Sequence, residues 1–224
     1  MSSNGDSSPR SVENAHALVL KAAKDMLRKG LTEGTAGNIS ARLPDGNIVI
    51  TPSSVDYELM TLDDLVIIDL DGKVVTGERG PSSEKALHLA CYKAFSDVGS
   101  VIHAHPVYAT MFAVAHQNIP ACIDEFSIYC GGEVAVTDYA MSGTDAVGEN
   151  AVAVMKDRSA ALLANHGTVA VGANPGKALH VTALIERSAQ IVWGAKTLGP
   201  VHELPETVNQ QFAGIYKYLR QNPL

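Results

Sequence analysis

From Ser11 onward apolar residues recur at helical spacing, at Val12, Ala15, Val19, Ala22, Ala23, Met26 and Leu27, and Gly30 follows as a stop. The spacing predicts an amphipathic helix. Between Asn38 and Val75 the texture changes to short β-rich runs, NISAR, NIVIT, LVIID and KVV, separated by Pro44-Asp45-Gly46 and Asp71-Gly72 turn signals. These runs predict antiparallel strands. Helical spacing returns over Ser83 to Phe95, with Ser82 as the expected N-cap and Pro81 before it. VIHAH then reads as a strand, and Pro106 opens a helix through Val107, Met111, Phe112 and Ala115. EVAVTDY reads as a further strand and Ala146 to Met155 as a helix. AALLAN and TVAVG are two apolar runs pinched at His166-Gly167, Lys177 to Leu198 is a long helix, and Val208 to Leu219 is a last amphipathic segment.

Helices and strands are thus interspersed without an internal repeat, which predicts one α/β domain over residues 11–224. The hairpin signals make its sheet antiparallel or mixed rather than fully parallel. The first ten residues, MSSNGDSSPR, lack the apolar core and cleavage site of a secretory signal and read as a flexible, solvated tail.

Composition narrows the class. The 224 residues are 46% apolar and 18% charged, the balance of a globular chain rather than a disordered or fibrous one. Seventeen Lys and Arg against 24 Asp and Glu give a formal charge of −7, with no basic run to neutralise a row of phosphates, so nucleic acid is not an expected partner. The most apolar stretches, 101–123 and 151–173, are broken by histidines or by Lys156, Asp157 and Arg158, so neither supplies the about 20 apolar residues of a membrane span. Cys91, Cys122 and Cys130 form no Cys-x-x-Cys pair, which points to a reducing, cytoplasmic setting.

Eight histidines on a chain with four Phe and one Trp stand out. His103 and His105, two apart in an expected strand, project from one face and can chelate a single ion. Taken alone, the pair is a weak signal and more often marks hydrogen-bonded histidines near a sheet end. His166 lies where an apolar strand stops and Gly167 permits a tight turn. Three neutral imidazoles suit one Zn²⁺ and leave a position for substrate, although Mn²⁺ or Co²⁺ can use the same set. His16, His88 and His180 fall within helical patterns and His116 and His202 near helix or loop ends, and all five read as surface or packing residues.

The acidic residue in the most informative setting is Glu84, in Pro81-Ser82-Ser83-Glu84 at a helix start, where complementing the helix dipole is worth about 0.3–1 kcal/mol without any chemistry. Three segments, Gly34-Thr35-Ala36-Gly37-Asn38, Thr51-Pro52-Ser53-Ser54 and Ser82-Ser83, can offer hydroxyls, an amide and free N–H groups to a phosphate. Each also has the composition of an ordinary turn. No phosphate loop, dinucleotide fingerprint or serine nucleophile elbow occurs.

The ordered set GTAGNIS, ITPSS, PSSE, HAHP and NHG, spread from Gly34 to Gly167, resembles the class II aldolase/adducin family, most closely its fuculose-phosphate aldolase branch. The similarity runs over nearly the whole chain. It implies a three-layer α/β/α domain around a central, largely antiparallel sheet, assembled as a homotetramer with active sites at subunit interfaces. By the same resemblance His103, His105 and His166 match the zinc ligands and Glu84 the catalytic carboxylate, while Gly37, Asn38, Ser53, Ser54, Ser82 and Ser83 fall on the substrate-phosphate site. The implied reaction is cleavage of a phosphorylated ketose to dihydroxyacetone phosphate and an aldehyde, with zinc as Lewis acid for the enediolate and Glu84 moving the proton.

This chain departs from its relatives in two places. The branch places a tyrosine from the neighbouring subunit shortly after Ile-Pro-Ala, and ungapped alignment on Ile119-Pro120-Ala121 puts Asp124 there. Tyr129, Tyr216 and Tyr218 are the alternative proton donors, and related ribulose-phosphate 4-epimerases use an aspartate from this region. Ser53-Ser54 stands where Thr or Ser followed by Gly is usual. An epimerase or a metal-dependent decarboxylase shares the same intermediate chemistry, and an adducin-like binding module shares the fold without needing the histidines and Glu84.

Overall fold

The computed structural model describes residues 9–222. The expected tail, 1–10, falls outside them except for Pro9 and Arg10, which open the first helix. In chain order the elements are α1 (Pro9–Arg28), β1 (Asn38–Arg42), β2 (Ile48–Ile50), β3 (Val66–Ile68), β4 (Val74–Thr76), α2 (Lys85–Ala94), β5 (Ser100–Ala104), α3 (Val107–Val114), α4 (Asp124–Cys130), α5 (Asp145–Val154), β6 (Ala160–Leu163), β7 (Gly167–Gly172), α6 (Pro175–Leu198) and α7 (Glu206–Gln221). The strands form one sheet in the order β4-β3-β2-β1-β5-β7-β6, and every neighbouring pair is antiparallel.

Alternation along the strands divides the core into layers. On one face Ile48, Ile50, Val101, Val169 and Val171 meet Leu87 and Cys91 of α2 and Val147 and Ala151 of α5. On the other, Ile39, Ala41, Ile102 and Ala104 meet Val19, Ala22, Ala23 and Met26 of α1 and Ala178 and Leu179 of α6. That second layer continues where Leu162 and Ala170 pack under Phe112 of α3 and Phe126 of α4. The chain is therefore a three-layer α/β/α domain. Each fully buried aliphatic side chain in it contributes about 1.5–3 kcal/mol.

Two segments differ from the sequence expectation. EVAVTDY makes no strand: Val134 and Val136 form only isolated bridges, to Ile119 and to Leu162 of the edge strand β6. The segment before it folds as α4, which the apolar spacing did not suggest, turning Phe126 and Cys130 inward. α6 starts two residues earlier than its spacing implied, since the Asn174 side chain accepts the Lys177 N–H and Pro175 takes the first helical position. No helix among the described residues is long and apolar enough to cross a membrane.

One strand breaks the apolar rule in a way that matters for the site. β1 lies in the middle of the sheet, yet Asn38 and Ser40, two apart on it, are polar and buried. Asn38 is paired in register with His103 of β5.

Candidate active site

His103, one residue before the end of β5, is fully buried on the α2 side of the sheet, and His105 follows just beyond the strand. His166 arrives from the turn between β6 and β7. There Asn165 adopts the left-handed conformation, φ 55°, and its side-chain oxygen accepts a hydrogen bond from the ring of His116. Glycine is required next: a Cβ on Gly167 would lie 2.5 Å from the Ala104 carbonyl oxygen and 2.7 Å from the His105 ring. The three imidazoles are therefore packed with centroids 4.6–5.0 Å apart. One ring nitrogen from each lies within 4.8 Å of the others.

Glu84 closes this cluster. Its Oε2 lies 3.2 Å from His103 Nε2 and its Oε1 3.4 Å from His166 Nε2. Oε2 also accepts from Asn38 Nδ2 at 3.0 Å and Oε1 from the Ser142 hydroxyl at 2.7 Å. Glu84 occupies the N-cap position of α2, whereas Ser82, the expected cap, uses its hydroxyl to accept the Glu84 N–H at 3.2 Å. The turn before the helix thus aims the carboxylate at the histidines. Burial alone would raise the Glu84 pKa, but hydrogen bonding and charge from His103, with Ser142 and His166 adding, hold it well below the usual carboxylate range.

The donor set fits a divalent cation. His103 Nδ1 donates to the Thr168 carbonyl at 2.9 Å, which orients the ring and turns Nε2 toward the cluster. His105 Nε2 lies only 2.9 Å from that atom. Burial lowers the pKa of His105 to about 4 and also lowers that of His166, with His103 adding to both, so these rings are neutral at pH 7. Imidazole and carboxylate lone pairs that converge on one point repel unless a proton or a cation lies among them. Three imidazoles with an adjacent carboxylate suit a first-row divalent ion.

Beside the cluster is a cavity of about 240 Å³ lined by Gly37, Asn38, Ser53, Ser54, Ser82, Ser83, Glu84, His105 and His166, together with Thr35, Ala36, Pro52 and Ser142. Among the described residues no Lys or Arg lines it. Its two serine loops are tied together, since the Ser53 hydroxyl donates to the Pro81 carbonyl at 3.0 Å and accepts the Ser83 N–H at 3.1 Å. Ser54 holds φ 59°, a left-handed conformation that a glycine would adopt without strain. Gly37 is held closely: φ is +75°, and a Cβ there would lie 2.7 Å from the His103 carbonyl oxygen.

Not every expected residue is here. Asp124 lies exposed in the first turn of α4, and Tyr218 is exposed on α7. Tyr129 stacks edge-on against His180 and lines a separate, mostly apolar cavity between α4, α6 and α7 together with Tyr216. Sequence reading also missed residues that the fold adds. Ser142 comes from a Met-Ser-Gly loop with no periodicity to mark it. His88, read as a surface or packing residue, is fully buried and bonded to Asn38 and Ser40. Its spacing of four from Glu84 on one helix was the available signal.

Residues 17–193, most of the chain, match the sequence profile described as the Class II Aldolase and Adducin N-terminal domain. The chain belongs to that family. Among class II aldolase relatives, a 5-deoxy-D-ribulose 1-phosphate aldolase of Bacillus thuringiensis serovar kurstaki is 37% identical over 196 residues, 87% of this chain and 92% of the relative. An L-ribulose-5-phosphate 4-epimerase of Salmonella paratyphi B is 35% identical over 195 residues, 81% of this chain and 85% of the relative. The solved structure of an L-fuculose 1-phosphate aldolase superposes with a TM-score of 0.87 at 34% identity, covering 96% of this chain and 100% of the other. The class II aldolase fold and enzymatic relatives are thus common to the sequence and structural comparisons, while aldolase and epimerase names both occur among them.

Proposed function

We propose that this protein is a zinc-dependent aldolase that reversibly cleaves a phosphorylated ketose, of the L-fuculose 1-phosphate type, to dihydroxyacetone phosphate and an aldehyde. The observation that carries the reading is the convergence of Glu84 with His103, His105 and His166 at the wall of a cavity rich in hydroxyl and backbone donors. His103, His105 and His166 would hold the ion, with Mn²⁺ or Co²⁺ as alternatives. When bound, it supplies positive charge for the oxygens of an enediolate. Gly37, Asn38, Ser53, Ser54, Ser82 and Ser83 bind the phosphate, a role that suits backbone N–H and hydroxyl groups in a chain whose net charge is −7.

In the condensing direction the Glu84 carboxylate takes a proton from C3 of dihydroxyacetone phosphate. The electron pair left behind attacks the aldehyde carbon, the C3–C4 bond forms, and a protein acid delivers a proton to the aldehyde oxygen. Cleavage is the reverse. That acid comes from Asp124, Tyr129 or Tyr218 of a neighbouring protomer in a homotetramer, since none of the three lines the cavity of its own chain. The phenols of Tyr129 and Tyr218 carry the O–H that such a step needs.

A panel of ketose phosphates, coupled to detection of dihydroxyacetone phosphate, tests the reading. Release of that product supports the aldolase. Interconversion of pentulose 5-phosphates without it would establish the second reading, a 4-epimerase, which the 35% identical epimerase relative and Asp124 favour. In the same assay His103→Ala should lose the metal and the activity, whereas Glu84→Gln should keep about one ion per chain and lose turnover. Full turnover in Glu84→Gln would remove the carboxylate from the mechanism.

A further inference from the structure

Behind the candidate site lies a buried polar seam between β1 and α2. From the sheet it receives Asn38 and Ser40, and from the helix Glu84, His88 and Tyr92, four residues apart on one face. Tyr92 and Ser40 oxygens are 2.8 Å apart, Ser40 Oγ and His88 Nδ1 2.6 Å, His88 Nε2 and Asn38 Oδ1 2.5 Å, and Asn38 Nδ2 and Glu84 Oε2 3.0 Å. His88 and Ser40 are completely buried and Tyr92 nearly so, so no solvent breaks the chain. Arg42 extends the seam, donating to the Tyr92 carbonyl at 2.7 Å with its guanidinium 4.9 Å from the Tyr92 ring centroid.

The seam has one self-consistent direction. Asn38 presents its amide nitrogen to Glu84 Oε2 and its Oδ1 to the imidazole. His88 must then carry its proton on Nε2. Its Nδ1 is a lone pair that accepts from the Ser40 hydroxyl, and Ser40 accepts in turn from Tyr92. The opposite tautomer would face a bare imidazole nitrogen with the Asn38 oxygen at 2.5 Å, and rotating the amide to relieve that would turn the oxygen on Glu84. Burial also keeps the ring neutral, as it must be to accept from Ser40.

We propose that His88 is a positioning residue of this site: as the Nε2–H tautomer it locks the Asn38 amide so that one N–H holds Glu84 and the other is presented to an anionic group in the cavity. The second half rests on the sugar-phosphate reading; the first does not. Without the His88 donor only Glu84 holds the amide, and its N–H is presented to the cavity less firmly. One charge-assisted hydrogen bond is worth about 1.5–3 kcal/mol, equivalent to at least about tenfold in affinity.

Two measurements on the full-length, metal-loaded protein decide it. Long-range ¹H–¹⁵N correlation spectra assign the His88 tautomer directly, and a proton on Nδ1, or on both nitrogens at pH 7, overturns the proposal. Calorimetric titration with inorganic phosphate then compares His88→Phe, which keeps the ring volume without a donor, with His88→Gln, whose amide nitrogen reaches the Nε2 position. The expected result is at least tenfold weaker binding in His88→Phe and restoration to within about threefold of the unsubstituted protein in His88→Gln. Equal losses in both variants, or no loss in a folded His88→Phe, overturn it. If the unsubstituted protein binds no phosphate, the sugar-phosphate reading fails and the spectra alone judge the lock on Asn38. If His88→Phe does not fold, the spectra together with the His88→Gln titration still decide.

Discussion

Replacing Gly37 by alanine tests whether the contact between the loop before β1 and the end of β5 holds His103 in place. The new Cβ would stand 2.7 Å from the His103 carbonyl oxygen, inside the 3.0 Å that Cβ atoms keep from other heavy atoms, at a backbone φ of +75°. The left-handed conformation costs an alanine about 1–2 kcal/mol, of which about 0.4–1 kcal/mol is returned by a less flexible unfolded chain. Forcing the contact apart adds about 1–3 kcal/mol, because the obstacle is backbone and cannot turn aside. The expected loss is therefore about 1–4.5 kcal/mol. Gly34 in the same loop is the control, since its φ is +57° and a Cβ there meets nothing within 4 Å, so Gly34→Ala should cost about 0–1.5 kcal/mol, without the added cost of the contact. Urea unfolding of both variants at one protomer concentration gives the difference, and metal titration of chelator-stripped protein gives the local consequence. A displaced His103 should weaken metal binding in Gly37→Ala and leave it unchanged in Gly34→Ala. Equal stability losses, or wild-type metal affinity in Gly37→Ala, would refute the reasoning.

Ser54→Gly should raise stability by up to about 1 kcal/mol, because glycine holds φ near 59° without strain but loses more chain entropy on folding; a loss above about 1 kcal/mol in urea unfolding would show that the Ser54 side chain makes a contact that outweighs its strain. The second expectation concerns acid. His88 has its pKa pushed down to about 3 from 6.5, by burial first and by His103, with Glu84 opposing. A depressed folded-state value means that its contribution to stability is complete above pH 6.5 and is lost as pH falls toward 3, at about 1.4 kcal/mol per pH unit. Between pH 6.5 and pH 5 the metal-free protein should lose about 2 kcal/mol more than metal-free His88→Gln, and parallel pH profiles for the two would contradict a neutral buried imidazole.

The parts of the molecule that the sequence determined are those set by local periodicity and covalent spacing. Apolar alternation and turn residues specify NISAR and NIVIT as antiparallel strands and VIHAH as a strand, and two-residue spacing in an extended segment marks His103 and His105 as candidates for one face. EVAVTDY shows the limit of such signals. It has the alternation of a strand, but Val134 bridges to Ile119 while Val136 meets the edge strand β6 through a single bridge, so no ladder forms. α4 is seven residues long, too short for periodicity to distinguish from a loop.

Contacts between distant segments depend on the tertiary structure. Register between β1 and β5 sets Asn38 opposite His103, and packing of α2 over β1 brings Glu84 to both and hides His88 between Ser40 and Asn38. Ser142, 58 residues from Glu84 along the chain, reaches it only because α5 packs beside α2 and carries its preceding loop to the site. The histidines and the carboxylate can be found by their spacing in the chain. Which of them face a common point, and which buried groups hold them there, follows from long-range packing that no local pattern encodes.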